Sequence, residues 1–307
     1  MANTIDVTQA SPFIPEIWAQ AAIPFLRANI VAAQRIERDT DLTQNFNVGD
    51  TLHVPYPGTF TVNDKAANTE FTIQQPSGES DVQLTLSNHK EVSFNVEDIV
   101  RAEANQDVMA RYGQAAAIAL AENVESAVLA ELISGATATT VGVAGTDLPY
   151  ATLLAGWKSL TDAKSPQGQR YAAISTKDAI KIAADSTIAN WIAFSNPNIV
   201  RSPQSLGGLA GFDDVLSSQL ITTTAGTPLQ TNNVVWRRDA AIIAFRGMPE
   251  PPAGLGAVRA NVLDAESGIV ISVLMGYDIR LGGVQVTYEL LYGVKTIQGK
   301  SIAIMLS

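Results

Sequence analysis

The 307-residue chain contains no cysteine. That excludes disulfides, thiolate metal sites and cysteine nucleophiles, and it fits synthesis in a reducing cytoplasm. Charge is also scarce. Only 16% of residues are Asp, Glu, Lys or Arg, against about 25% in a typical soluble domain. A surface so poor in charge suits one that partners will cover, because interface cores are depleted of charged residues; the alternative is a thinly charged monomeric enzyme. Basic charge is the scarcer sign, with 20 Lys and Arg against 30 Asp and Glu and a net charge of −10. The densest basic point is the pair Arg237–Arg238. A nucleic-acid binder needs the opposite balance to neutralise phosphates; if a chain like this meets nucleic acid, it encloses it rather than gripping it. No apolar run approaches the ~18 to 20 residues of a membrane span. Residues 1–12 lack the basic start and apolar stretch of a signal peptide.

The groups that usually carry chemistry are few as well. The two histidines, His53 and His89, fall in strand-like surroundings with no partner set for a triad or a metal site. The cluster Gly207-Gly208-Leu209-Ala210-Gly211 lacks the Lys-Ser/Thr of a phosphate loop and the spacing of a dinucleotide turn. No Gly-x-Ser-x-Gly elbow occurs. Asp213-Asp214 is one acidic pair, not a calcium loop. Glu122 and Glu125 lie on a helix without an accompanying His and read as a solvated face. No catalytic residue, metal or cofactor is expected.

Apolar residues make up 46% of the chain, enough for a sizeable core. Residues 1–47 read as an arm with a short helix, capped at Ser11 with Pro12 in the first turn and carrying Ile14, Ile17, Trp18 and Ala21 on one face. Residues 48–96 read as a long β excursion, with strands over Thr51 to Pro55, Thr59 to Val62, Glu70 to Ile73, Asp81 to Leu86 and Val92 to Val96. Val82-Gln83-Leu84-Thr85-Leu86 alternates with the period of two of a half-buried strand. Between these runs, Asn63 to Asn68 and Gln74 to Ser80 are polar and turn-rich. Phe60, Phe71 and Ile73 are the few apolar anchors of the tip. Such a hairpin cannot build its own core and needs another surface to lie on.

The strongest element is a helix over residues 97–134, capped by Asn95 and closed by Gly135. Met109, Tyr112, Ala116, Ala119, Leu120, Val124, Ala127, Val128 and Leu132 recur at three- and four-residue spacing and form its expected core face. Glu97–Arg101 and Asp107–Arg111 are favourable pairs on the opposite side. Beyond a Gly/Thr/Ala-rich loop, Ala151 to Ala163 reads as a helix and Tyr171 to Ile174 as a buried strand. Thr176 to Ala184 reads as a helix capped by Ser175 with Asp178 in the box position. Val215 to Thr222 and Asn233 to Trp236 read as strands. The stretch Gly268 to Leu274, Tyr277 to Leu281, Val284 to Tyr292 and Ser301 to Leu306 is β-rich. The fold class is α+β.

This order of arm, β excursion, long helix, mixed α/β segment and β return resembles the tailed-bacteriophage major capsid proteins of the Hong Kong 97 type. Local sequence resembles the short-tailed-phage coat-protein branch of that family. The stretches are Pro15-Glu16-Ile17-Trp18-Ala19, Asn47 to Pro55, Lys90 to Asp98, Arg238-Asp239-Ala240-Ala241-Ile242 and Tyr292-Gly293-Val294-Lys295. The resemblance implies an N-terminal arm (1–47), an extended loop (48–96), a peripheral domain with a spine helix (97–149), an axial domain (150–267) and return strands of the peripheral domain (268–307). It implies an icosahedral shell around double-stranded DNA, built from hexamers and pentamers in the host cytoplasm. Scaffolding protein and portal would take part, with a decoration protein as a further possible partner, no specific DNA binding and no membrane. Phe60, Lys65, Glu70, Phe71 and Ile73 of the extended loop would meet a neighbouring subunit. Met109, Tyr112, Ala116, Leu120, Val124 and Val128 would form the spine-helix core. Some members of the family crosslink themselves through a loop lysine. Lys65 is suitably placed, but no partner residue matches, so that chemistry is not carried over. An encapsulin-type compartment shell shares the fold and is the competing reading; a monomeric α/β enzyme with a carboxylate site is the competitor from another class.

Overall fold

The structure is a computed structural model, and it describes residues 22, 30–38, 51–56, 60–75, 80–98, 107–185, 205–221, 223–224, 228–252, 256–263 and 269–307. In chain order its regular elements begin with strands β1 (Glu37–Arg38), β2 (Thr51–Tyr56), β3 (Ser80–Thr85) and β4 (Asn88–Glu97). Then come helix α1 (Asp107–Gly135), β5 (Val141–Gly142), α2 (Tyr150–Asp162), β6 (Arg170–Ser175) and α3 (Thr176–Ala184). The remainder is β: β7 (Ser205–Gly207), β8 (Asp214–Ser218), β9 (Thr223–Thr224), β10 (Gln230–Arg237), β11 (Ala241–Arg246), β12 (Ala257–Leu263), β13 (Val270–Asp278), β14 (Gly283–Thr296) and β15 (Ile302–Leu306). The expected arm helix around Ile14, Ile17, Trp18 and Ala21, and Arg101 of the expected surface pairs, lie outside the described residues.

The larger sheet is built on β14. Its first part pairs with β13 on one side and with β4 on the other, and its last six residues pair with β11; β12 extends the β13 side and β1 the β11 side. Alternation along β14 sends Val286, Tyr288, Leu290 and Tyr292 to one buried face. Helix α1 lies across that face and buries Ala116, Ala117, Leu120, Ala121, Val124, Val128 and Leu132. Small residues set how closely it approaches. A Cβ on Gly113 would fall 2.6 Å from the Tyr288 hydroxyl, and one on Gly135 would fall 2.2 Å from Thr296 Oγ1. Each buried Leu or Val contributes about 2 kcal/mol by area.

The smaller sheet runs β5-β15-β10-β6-β8-β7, with β9 on β10. Helices α2 and α3 cover one face, burying Leu153, Leu160, Ala179 and Ile182 against Ile174, Val235 and Met305. The other face, through Ala173, Val234, Trp236 and Ile302, joins the core beneath α1. The helix α3 cap forms as its sequence implies: Ser175 Oγ accepts from the Asp178 backbone N–H at 3.2 Å.

Three expectations differ from the structure. Asn95 does not cap the long helix; it is a strand residue opposite Gln285, because the alternation of Val92, Phe94 and Val96 carries β4 through Glu97. Thr59 to Val62 and Glu70 to Ile73 give no paired strands among the described residues. The axial and return boundaries, 150–267 and 268–307, do not coincide with the sheets. Strands β11 and β12 belong to the larger sheet, and β15 returns to the smaller one. After β10 the chain crosses between the two sheets twice, from β10 to β11 and from β14 to β15, and the apolar run Ala241 to Phe245 does not reveal which sheet will accept it.

Candidate assembly surface

The excursion has an anchored base and an exposed end. At the base, β2 and β3 pair over six residues. Leu84 and Leu86 are buried against Ile242 and Ala244 of β11. The hairpin lies so close on β14 that a Cβ at Gly293 would meet the Thr85 carbonyl oxygen at 2.3 Å.

Beyond the base, residues 60–75 form a ribbon with almost every residue exposed. Phe60 is 70% exposed, Phe71 83% and Ile73 96%; Val62 joins them. The hydrogen bonds that shape the ribbon are its own. Thr61 and Gln74 are joined by two bonds, from the Thr61 N–H to Gln74 Oε1 (2.9 Å) and from Gln74 Nε2 to the Thr61 carbonyl (2.6 Å). At the tip, Asn68 takes a φ of 67°, a left-handed position that Asn tolerates. Lys65 Nζ donates to the Ala66 and Thr69 carbonyls and sits 5.0 Å from the Phe71 ring centre. The ribbon therefore brings Phe60, Lys65, Glu70, Phe71 and Ile73 onto one element and leaves their side chains exposed.

Along the spine helix, Ala116, Leu120, Val124 and Val128 are buried. Tyr112 corrects the expected core list. It is 55% exposed, at the helix's outer turn, with its ring 5.7 Å from that of Phe94. The side chain of Met109 lies outside the described residues. Ala119 is exposed, one residue short of Leu120 and so about 100° round the helix from it.

Glu125 also differs from its sequence reading. It is not on a solvated face but buried. Its carboxylate accepts three backbone N–H groups from a segment more than ninety residues earlier: Val31 (3.1 Å), Ala32 (2.7 Å) and Ala33 (3.1 Å). Burial pushes its pKa up from the ordinary 4.5, against the opposing effect of these donors. Glu125 lies between Ala121 and Leu129 on the stripe that includes Val124, Val128 and Leu132, and that register was the available signal. The same early segment is held by Trp236 Nε1 donating to the Arg35 carbonyl (3.2 Å), by the ion pair Arg35–Asp214 (3.2 Å), and by β1 running parallel to β11.

Further apolar side chains stand out on the β13–β14 hairpin, where Tyr277, Ile279 and Leu281 are exposed and Tyr277 donates to Asp98 at 2.7 Å. His53 is exposed beside Asp81, and His89 is exposed on β4. Among the described residues no group of three or more His, Asp or Glu side chains converges as a metal site would require. No helix among them is long and apolar enough to cross a membrane.

A spine helix clamped between two sheets, with an anchored hairpin base extending into an exposed ribbon, defines a shell subunit of the Hong Kong 97 type. Residues 85–295 match the phage capsid protein family, and the chain belongs to that family. Its fold is similar to a chain of Mycobacterium phage Che8 (20% identity, TM-score 0.63, 90% of each chain covered). It is similar to the capsid structure of cyanophage P-SCSP1u (14% identity, TM-score 0.64, covering 90% of this chain and 87% of that one). It is also similar to the capsid asymmetric unit of cyanophage Pam1 (12% identity, TM-score 0.57, covering 99% and 94%). No curated protein matches in sequence. The protein is a major capsid protein, a structural subunit of the virion shell. The family is that of phage capsids, so the compartment-shell alternative is not favoured.

Proposed function

We propose that the subunit builds the shell by clasping its neighbour with the 60–75 ribbon, and that it does so without catalysing any reaction. The observation that carries this reading is the exposure of Phe60, Val62, Phe71 and Ile73 on an element whose hydrogen bonds are internal. A ribbon of this kind gives up conformational entropy on ordering and recovers little burial within its own subunit. A neighbouring surface supplies the missing burial. With Lys65 and Glu70 at the rim, contact would bury apolar side chains at the centre and leave charge at the edge.

On this reading hexamers and pentamers close an icosahedral wall in the host cytoplasm, scaffolding protein and portal direct closure, and a decoration protein has exposed loops to bind. The acidic chain encloses packaged DNA without specific contacts, because like charge keeps the duplex from sticking to the wall. The division into arm, extended loop, peripheral and axial domains follows the same reading, with the strand exchanges described above. The test is electron microscopy of recombinant protein, with scaffold added where needed. Regular hollow particles are expected from the intact chain. A stable monomer with turnover on a substrate would defeat the proposal.

A further inference from the structure

The larger sheet ends in a strand that has no second strand partner among the described residues, although the Met248 and Pro249 carbonyls accept from its Asn261 and Arg259 side chains. Strand β12, Ala257–Leu263, pairs on one side with β13, and no other described strand pairs with it. Its outward N–H and C=O groups form a seven-residue template for another strand. Proteins usually blunt such an edge with charge. The opposite edge strand, β4, carries Lys90, Glu91 and Glu97. Strand β12 carries only Arg259, and that charge is already taken up by Glu289 (2.8 Å) and the Pro249 carbonyl (2.5 Å). Val258 is 58% exposed and Leu263 51%.

We propose that β12 is a subunit contact in its own right, pairing antiparallel with β12 of a second copy across a two-fold axis. The inference rests on the shell reading and adds a second interface to the ribbon. The register follows from three constraints. A two-fold axis normal to the joined sheet keeps both α1 helices on the same side, as a wall with an inside and an outside requires. In an antiparallel pair, opposed residues share a face, so residues of like parity must meet. Centring on Ala260 then uses all seven residues. Val258 meets Val262, Ala257 meets Leu263, and Arg259 meets Asn261. Centring one residue earlier opposes Arg259 to its own copy, which is unfavourable. Centring one residue later leaves Val258 without an opposing strand residue. The sequence Ala-Val-Arg-Ala-Asn-Val-Leu is thus self-complementary in one register, which is what an isologous contact demands.

The absence of cysteine makes the test direct. In the double variant V258C/V262C the only thiols are those introduced, and opposed residues lie within the ~5.5 Å Cα separation that a disulfide spans. Mild oxidation of assembled particles should give covalent dimers on a non-reducing gel. The single variant V258C should give none, because two copies of position 258 would be about 13 Å apart in this register. Particles of the double variant that yield no dimer overturn the proposal, as do dimers from V258C alone, or a link from either cysteine to a different protein. If the double variant does not assemble, amide exchange on wild-type protein decides: the amides of residues 257–263 that point away from β13 should slow at least tenfold on assembly, and unchanged exchange there refutes the pairing. Wild-type protein that never forms particles refutes the shell reading itself, which separates the two failures.

Discussion

Helix α1 and the 60–75 ribbon treat their apolar side chains in opposite ways. On α1, Leu120, Val124, Val128 and Leu132 are sealed against β14 within one subunit. On the ribbon, Phe60, Phe71 and Ile73 stand in solvent. Both segments are apolar enough to need cover, and only one finds it at home. The helix has a sheet beneath it and small residues that admit close contact. The ribbon has hydrogen bonds to itself and an anchored base. Stability should therefore depend on the helix, and assembly on the ribbon.

The largest effect is expected at Leu120. Leu120→Asp places an unpaired carboxylate in the core at a cost of several kcal/mol. The variant should be insoluble or lack a cooperative thermal transition by circular dichroism; normal folding would mean the helix presents another face.

Glu125→Ala comes next. It removes the acceptor for three buried N–H groups and should lower stability by about 3 kcal/mol, read as a fall in the denaturant midpoint. The same site makes a pH prediction. The folded pKa of Glu125 is raised, so the folded state holds this proton more tightly than the unfolded chain. Its contribution to stability is full below the ordinary 4.5 and is lost as pH rises through the raised value. The stability of wild type relative to Glu125→Gln should therefore increase as pH falls through that window. A difference that is flat with pH would show that the carboxylate titrates normally.

Gly293→Ala probes the junction between the two regions. Its Cβ would press on the Thr85 carbonyl; that backbone must shift, at about 1 to 3 kcal/mol. Faster exchange should appear in β2 and β3 and leave α1 unchanged.

The smallest effect on stability, and the largest on assembly, belongs to the ribbon. Replacing Asn63 to Gln75 by a Gly-rich turn should move the free subunit's stability by no more than about 0.5 kcal/mol and abolish closed particles in electron micrographs. Amide exchange sharpens the point: the ribbon should be unprotected in free subunits and protected in particles. Strong protection in the monomer would place its partner surface on its own chain.

Local signals carried much of the fold. The Ser175–Asp178 cap, the end of α1 at Gly135 and the strands β2 and β3 were legible, because each depends on residues near one another in sequence, whereas the pairing of β2 with β3 joins residues more than twenty positions apart. The exposed ribbon was legible for the same reason, since a polar, turn-rich stretch with so few large apolar residues cannot cover itself. Asn95 was misread because a good capping residue also fits a strand, and ten residues of pairing with β14 outweigh one cap. Strands β11 and β12 were missed where a continuous apolar run and a proline-rich loop carry no clear period.

By itself the sequence determined the α+β class, the long amphipathic helix, the order of elements and the segment with too little apolar mass to bury itself. Those properties come from hydrophobic period and local capping, which a chain expresses without knowing its distant neighbours. Only the tertiary structure decided that β11 and β12 enter the larger sheet, on β14 and β13 respectively, while β15 returns to β10, that Glu125 is buried as the acceptor for residues 31–33, and that Tyr112 lies at the rim. Each of these depends on what packs opposite a residue. A carboxylate on a helix looks the same in sequence whether it meets water or the three N–H groups of a segment ninety residues away.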